Sequence, residues 1–269
     1  MKRTTALLAM IALALCATAA SAAPRTQKVS WTDGGKTFDG TLVWDNATST
    51  PRPGLVLVPN WWGATDAAVG KARTLAGKDY VILVVDMYGR GKRPKNPDEA
   101  GKMSGAVMAD PAALRSRANA ALATLRAQAG KVPLDTKHIG AIGFCFGGAV
   151  ALELARSGAD LGGVATFHAN LSTKQPARAG VLKAPVLVMN GAEDTFVPAA
   201  QIAGFKAEMR AANADWQFVD FGGAVHCFAE PDEHNAVPGC NFNPAAYRRS
   251  VRMMRGFFIE RFNTTVAAR

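Results

Sequence analysis

The chain has 269 residues, 49% of them hydrophobic, which suits one large core and falls short of two. Its formal net charge is +10, but no recognition helix, RNP-like run or zinc knuckle accompanies that charge, so no nucleic-acid partner is expected. No internal repeat or low-complexity block lies beyond the N-terminus, which excludes a repeat architecture.

The chain opens on a targeting pattern. Lys2 and Arg3 precede an apolar run, Leu7–Cys16, too short to span a bilayer, and Ala20-Ser21-Ala22 is a small-residue cleavage site. Residues 1–22 are therefore expected to be a signal peptide and residues 23–269 a single exported domain, with net charge +8 once Lys2 and Arg3 are gone. Leu15 stands before Cys16 where a lipoprotein signal would want a small residue, so no membrane anchor is expected. The expected location is periplasmic or secreted. Export leaves three cysteines, Cys145, Cys227 and Cys240, and an odd count in an oxidising compartment suggests one pair and one free thiol. Cys227 and Cys240 are close in sequence and flank a Pro/Asp/Asn-rich loop, so we expect them to pair; the competing pairing is Cys145 with Cys227. No Cys/His spacing resembles a metal site.

Two alternating segments around Asp33-Gly34-Gly35, Gln27–Trp31 and Thr37–Trp44, predict a hairpin. Short apolar runs follow at Gly54–Val58, Tyr80–Val85, Ile139–Phe144, Gly163–Phe167, Pro185–Met189 and Trp216–Phe221. Unbroken runs of this kind suit strands buried on both faces of a parallel sheet. Helical patterns near Ala67–Ala76, Pro111–Gln128, Gly148–Ser157, Ala199–Ala212 and Pro244–Phe262 separate them. The alternation predicts an α/β fold, a mostly parallel sheet with helices on both faces, whose functional groups collect where strands end.

Three strand ends carry chemistry. Gly143-Phe144-Cys145-Phe146-Gly147-Gly148 joins an apolar strand to an apolar helix, the context of a G-x-nucleophile-x-G elbow. Small flanking residues permit the sharp turn, and the helix N-terminus favours the thiolate. Glu193 and Asp194 follow the strand at Pro185–Met189, where this fold places its acid; either could instead cap the helix that begins near Pro198. His226 follows the last strand, completing the chain order nucleophile, acid, histidine. His138 precedes its strand and His234 lies in a polar loop. His168 ends a strand on the correct edge and is expected to line the pocket, but it precedes Asp194 and fits the base poorly.

Together the elbow, the segment Gly191–Pro198 and Ala224-Val225-His226-Cys227-Phe228 resemble the dienelactone hydrolase family, with the likeness running from about Gly54 to Phe262. The resemblance implies an α/β-hydrolase fold, a Cys145–His226–Asp194 triad with Asp194 chosen over Glu193, and neither metal nor organic cofactor. It also implies an oxyanion hole from the backbone N–H groups of Phe146 and Trp61. Asn60 stands where the family often has a Glu that helps activate the nucleophile, and Asn60 cannot accept a proton. Arg90 matches one anion-gripping arginine of the family, whereas Glu230 stands where the other is expected. With Asn60, Arg90, Glu230 and His168 as substrate-contacting residues, we expect hydrolysis of a small ester or lactone through a thioacyl-enzyme. Glu230 should repel a carboxylated dienelactone and favour neutral or weakly anionic substrates. Aromatic residues near the strand ends, Trp61, Trp62, Tyr88, Phe144, Phe146, Phe196 and Phe228, suggest an apolar mouth. A non-catalytic binding protein of this fold and an envelope thiol or redox protein are the alternatives, and the protein is expected to act as a monomer or small oligomer.

Overall fold

The computed structural model describes residues 24–234 and 236–262, so the segment read as a signal peptide lies outside the described residues. Strands β1 (Pro24–Asp33) and β2 (Lys36–Asp45) form the expected hairpin. Asp33 pairs with Lys36, leaving Gly34 and Gly35 as the turn with φ of 53° and 71°, a two-residue left-handed conformation that glycine supplies without strain.

The alternation that follows runs β3 (Arg52–Val58), α1 (Asp66–Ala76), β4 (Val81–Val85), α2 (Pro97–Ala109), α3 (Pro111–Arg126), β5 (Leu134–Phe144), α4 (Phe146–Arg156), β6 (Val164–Phe167), β7 (Val186–Gly191), α5 (Ala199–Ala211), β8 (Trp216–Phe221) and α6 (Pro244–Phe262). The eight strands make one sheet in the order β1-β2-β4-β3-β5-β6-β7-β8. β2 pairs antiparallel with β1 and β4, and every pairing from β4 to β8 is parallel. Two apolar cores flank the sheet. Leu114, Leu122, Val150, Leu154 and Phe205 pack on one face from α3, α4 and α5, and Val69, Leu75, Met254, Phe258 and Phe262 on the other from α1 and α6.

Helix α2 differs from the sequence reading, which placed nothing there. It buries only Ala100 and Val107, so no apolar face marks it. Its local signals are Asn96, whose side chain accepts from the Glu99 N–H, and Pro97 in the first turn. β8 also departs from expectation. It is the edge strand and half-buried rather than covered on both faces.

The chain leaves β3 toward β4 on one side and returns to β5 on the other, so the loops after β3 and β5 diverge between neighbouring strands. Such a switch point is where α/β sheets open a ligand crevice. Among the described residues, no helix is long and apolar enough to cross a membrane.

Candidate active site

Cys145 joins β5 to α4 with φ 53° and ψ −120°, a conformation unfavourable for a side-chain-bearing residue. Its own N–H is tied to Phe167 O at 3.0 Å, and Gly143 and Gly147 make the turn possible. A Cβ on Gly147 would overlap the Val58 and Pro59 carbonyls, and one on Gly143 would overlap the Gly147 carbonyl. The elbow thus presses α4 directly against the end of β3 and lifts the half-buried thiol at the helix N-terminus.

Asp194 and His226 arrive on loops that are bonded together. Ala192 N–H donates to Phe221 O and Glu193 N–H to Ala224 O, both at 3.0 Å. Asp194 Oδ1 accepts from the Phe196 N–H at 2.8 Å, which leaves Oδ2 for His226 Nδ1 at 2.7 Å. His226 Nε2 lies 3.2 Å from Cys145 Sγ. Glu193 is exposed, and Pro198 rather than either acid occupies the N-cap of α5, so the capping alternative is set aside.

The loop after β3 supplies the facing wall. Asn60 Oδ1 accepts from the Trp62 N–H at 3.0 Å and Asn60 O from the Gly63 N–H at 3.0 Å, a tight turn with Trp61 at its crest. Tyr88 donates its hydroxyl to Trp61 O at 2.7 Å and stacks on Phe146, 5.7 Å between centroids. The Trp61 and Phe146 N–H groups have no protein acceptor among the described residues. Cys145, Trp61, Asn60 and His226 line one cavity of about 300 Å³, over which Phe196 lies edge-on to His226 at 4.9 Å. Cys227 and Cys240 are joined by a disulfide on the same wall, leaving Cys145 free.

Three residues expected to contact substrate are placed elsewhere. Arg90 is exposed and clasps Asp39 of the hairpin at 2.8 Å, with Ser30 at 2.8 Å, and it does not line the cavity. Glu230 is buried in an ion pair with Lys71 of α1, which lies 4.0 Å over the Phe144 ring. That pair borders a neighbouring cavity of about 290 Å³, not the one that holds Cys145. The Lys71 charge neutralises Glu230, which removes the expected repulsion of anionic substrates. His168 has no exposed surface and φ 39°. Its ring stands 4.8 Å from that of His226, with Nε2 3.5 Å from Glu230 Oε1, behind the site rather than on its wall. Phe144 and Phe228 are core. Lys71 escaped the sequence reading because nothing local distinguishes it from a solvated helix lysine.

The dienelactone hydrolase family model matches residues 38–262. The chain belongs to the dienelactone hydrolase family. Similar solved structures include one named m3DLH, 38% identical with a TM-score of 0.82, covering 88% of this chain and 98% of that one. A dienelactone hydrolase-like promiscuous phosphotriesterase, P91, from metagenomic libraries is 37% identical with a TM-score of 0.81, covering 88% and 98%. Among sequence relatives, the uncharacterised protein K02A2.1 of Caenorhabditis elegans is 33% identical over 153 residues, 55% of this chain and 94% of its own. A Methylorubrum extorquens protein provisionally named a carboxymethylenebutenolidase is 30% identical over 192 residues, 68% of this chain and 65% of its own.

In this dienelactone hydrolase family member the site electrostatics form one coupled unit. Burial pushes the Cys145 thiol up, but His226 and His168 outweigh it and bring it down to about 6. Burial pushes His226 down, but the Cys145 thiolate and Asp194 raise it to about 10. Between those values the arrangement is a thiolate–imidazolium pair. Burial would raise Glu230, yet Lys71 and His168 hold it well below the usual carboxylate range. The ligating atoms of Cys145, His168 and His226 lie within 4.8 Å of one another. His226 commits Nδ1 to Asp194 and Nε2 to the sulfur, the disposition that proton transfer requires.

Proposed function

We propose that the protein hydrolyses neutral carboxylic esters or lactones through a Cys145–His226–Asp194 triad. The observation that carries this reading is the continuous contact from Asp194 Oδ2 through His226 to Cys145 Sγ, opening into an apolar cavity. The thiolate attacks the carbonyl carbon, forming a C–S bond. The resulting oxyanion turns toward the N–H groups of Trp61 and Phe146, donors that act before any reorganisation is needed. As the C–O bond breaks, the imidazolium gives its proton to the departing alkoxide. Neutral His226 then takes a proton from water, whose oxygen attacks the thioester carbon; the C–S bond breaks, the carboxylic acid leaves, and the thiolate and imidazolium are restored. Asp194 holds the imidazole in the required tautomer throughout.

Preference for neutral substrates rests on the cavity wall. Among the described residues it carries Glu233 and no lysine or arginine, so a substrate carboxylate would meet a like charge and no clamp. Similarity to a promiscuous phosphotriesterase makes a neutral phosphotriester a reasonable secondary substrate. The Cys227–Cys240 disulfide supports the reading of residues 1–22 as an export signal, because such bonds persist in oxidising compartments. The test is a panel of p-nitrophenyl esters, lactones, a carboxylated dienelactone and a phosphotriester, with folding checked by circular dichroism. Cys145→Ala and His226→Ala should each lower turnover on the order of 10⁴-fold, as for members of a cooperating set. Near-full activity in Cys145→Ala would end this reading, and a wild-type preference for the anionic dienelactone would end the claim of neutral selectivity.

A further inference from the structure

Cys145 borders a second cavity as well as the one under Phe196. This second space, about 260 Å³, lies between the start of α4 and helix α2, with Phe146 and Ala149 on one side and Gly101, Gly105 and Met108 on the other. Trp61 and Asn170 are common to both cavities, so the nucleophile stands at their junction. His226 lines only the first.

That asymmetry assigns the two spaces. In the tetrahedral intermediate the carbonyl carbon holds four substituents: Sγ, the oxyanion, the leaving oxygen and the acyl chain. The oxyanion points at the Trp61 and Phe146 N–H groups. The leaving oxygen must face His226, which protonates it. The acyl chain takes the remaining direction, away from His226 and toward α2. We propose that the α2 cavity binds the acyl chain and the disulfide-side cavity binds the alcohol, so that this protein takes open-chain esters with two sizeable apolar arms rather than a compact lactone. The inference rests on the triad chemistry proposed above.

The composition of α2 fits this role. Gly101 and Gly105 are one turn apart and share a face of the helix. Each lowers helix stability relative to alanine, and neither has the positive φ that would require glycine. A Cβ at Gly105 would meet nothing within 4 Å, and one at Gly101 would only touch the Trp61 ring at 3.9 Å. What their missing side chains provide is space. Ser104, the polar α2 residue that lines the cavity, donates its hydroxyl to Ala100 O at 2.7 Å and so presents little polarity to it. Met108 also lines the cavity, with a side chain that adapts readily to differing ligand shapes.

The test uses the full chain and two substrate series: p-nitrophenyl esters from acetate to octanoate, and acetates of alcohols from ethyl to benzyl. Gly105→Leu fills the α2 cavity with a better helix former and should lower the hexanoate-to-acetate ratio of kcat/KM at least tenfold, with Gly105→Ala intermediate. It should leave the benzyl-to-ethyl ratio within about twofold of wild type, a difference of roughly 0.4 kcal/mol. Val237→Trp, on the other cavity, should reverse the pattern. Gly204→Leu, exposed on α5 with open space around it, controls for the substitution and should move neither ratio. Equal effects of Gly105→Leu on both series, or none on acyl length, would overturn the assignment while leaving the triad standing. A wild-type protein that hydrolyses no ester in either series would remove the triad reading and this inference together.

Discussion

Cys145, His226 and Asp194 meet from three separate loops, with Asp194 Oδ2 on His226 Nδ1 and His226 Nε2 on the Cys145 sulfur. Four non-glycine residues have positive φ among the described residues, and three of them, Cys145, His168 and Cys227, surround the site. Backbone strain of this kind costs about 1–3 kcal/mol per residue and persists only where the surroundings over-determine it. Here the surroundings are the elbow glycines, the buried His168 ring and the disulfide. The depressed thiol has a direct consequence for pH. With the thiol lowered to about 6 and His226 raised to about 10, turnover is expected to fall below the first value, where the thiolate is protonated, and above the second, where His226 loses the proton that the leaving group needs. We expect the rate of Cys145 alkylation by iodoacetamide to rise with a midpoint near 6, against about 8.5 for an unperturbed cysteine. His226→Ala should move that midpoint upward, because burial then acts without its main opponent. A wild-type midpoint at 8 or above would contradict the ion pair.

At the scale of elements, the elbow depends on close contact between α4 and β3, and α2 depends on its caps. Helices α4 and α6 both bear a glycine, with opposite requirements. Gly147 in α4 meets the Val58 and Pro59 carbonyls directly, whereas Gly256 in α6 has open space where a Cβ would stand. Gly147→Ala must push α4 off the sheet, so we expect a loss of at least 1–3 kcal/mol of stability, as for overpacked cores, together with loss of activity. Gly256→Ala should instead raise stability by about 0.4–1 kcal/mol through the unfolded chain. Urea midpoints of the two variants decide this; equal midpoints would mean that the tight packing at the elbow is not what holds it.

For the molecule as a whole, the sheet separates two cores and brings residues distant in sequence to one edge. The disulfide ties the loop that carries His226 to the segment before α6, closing a separation of 13 residues. Closing a loop of this size stabilises by about 3 kcal/mol in the chain-entropy model. For a domain this large, that corresponds to a melting temperature lower by roughly 6–12 °C on its removal. We expect the Cys227→Ser/Cys240→Ser double variant to show a fall of that order by calorimetry, and to weaken binding at the alcohol cavity whose wall the bond forms. An unchanged melting temperature would show that other contacts already hold the loop.

The order of the strands, every helix but α2, the elbow at Cys145, the acid after β7 and the histidine after β8 are legible in the amino-acid sequence. The physical reason is that each depends on a contiguous run: an apolar strand, the turn residues beyond it and the helix that follows. Asp194 needed more than spacing, since Glu193 adjoins it; the resemblance to a family chose between them, and the inward turn at Phe196 N–H shows the physical cause. Charge pairing was decided only by the tertiary structure. Arg90 finds Asp39 and Glu230 finds Lys71 across 51 and 159 residues of chain. Whether a charge meets substrate, solvent or an opposite charge depends on depth and on which face of a distant element packs against it, and no local pattern encodes either. The same holds for α2, whose near-absence of an apolar face hid it, and for the second cavity it forms beside the nucleophile.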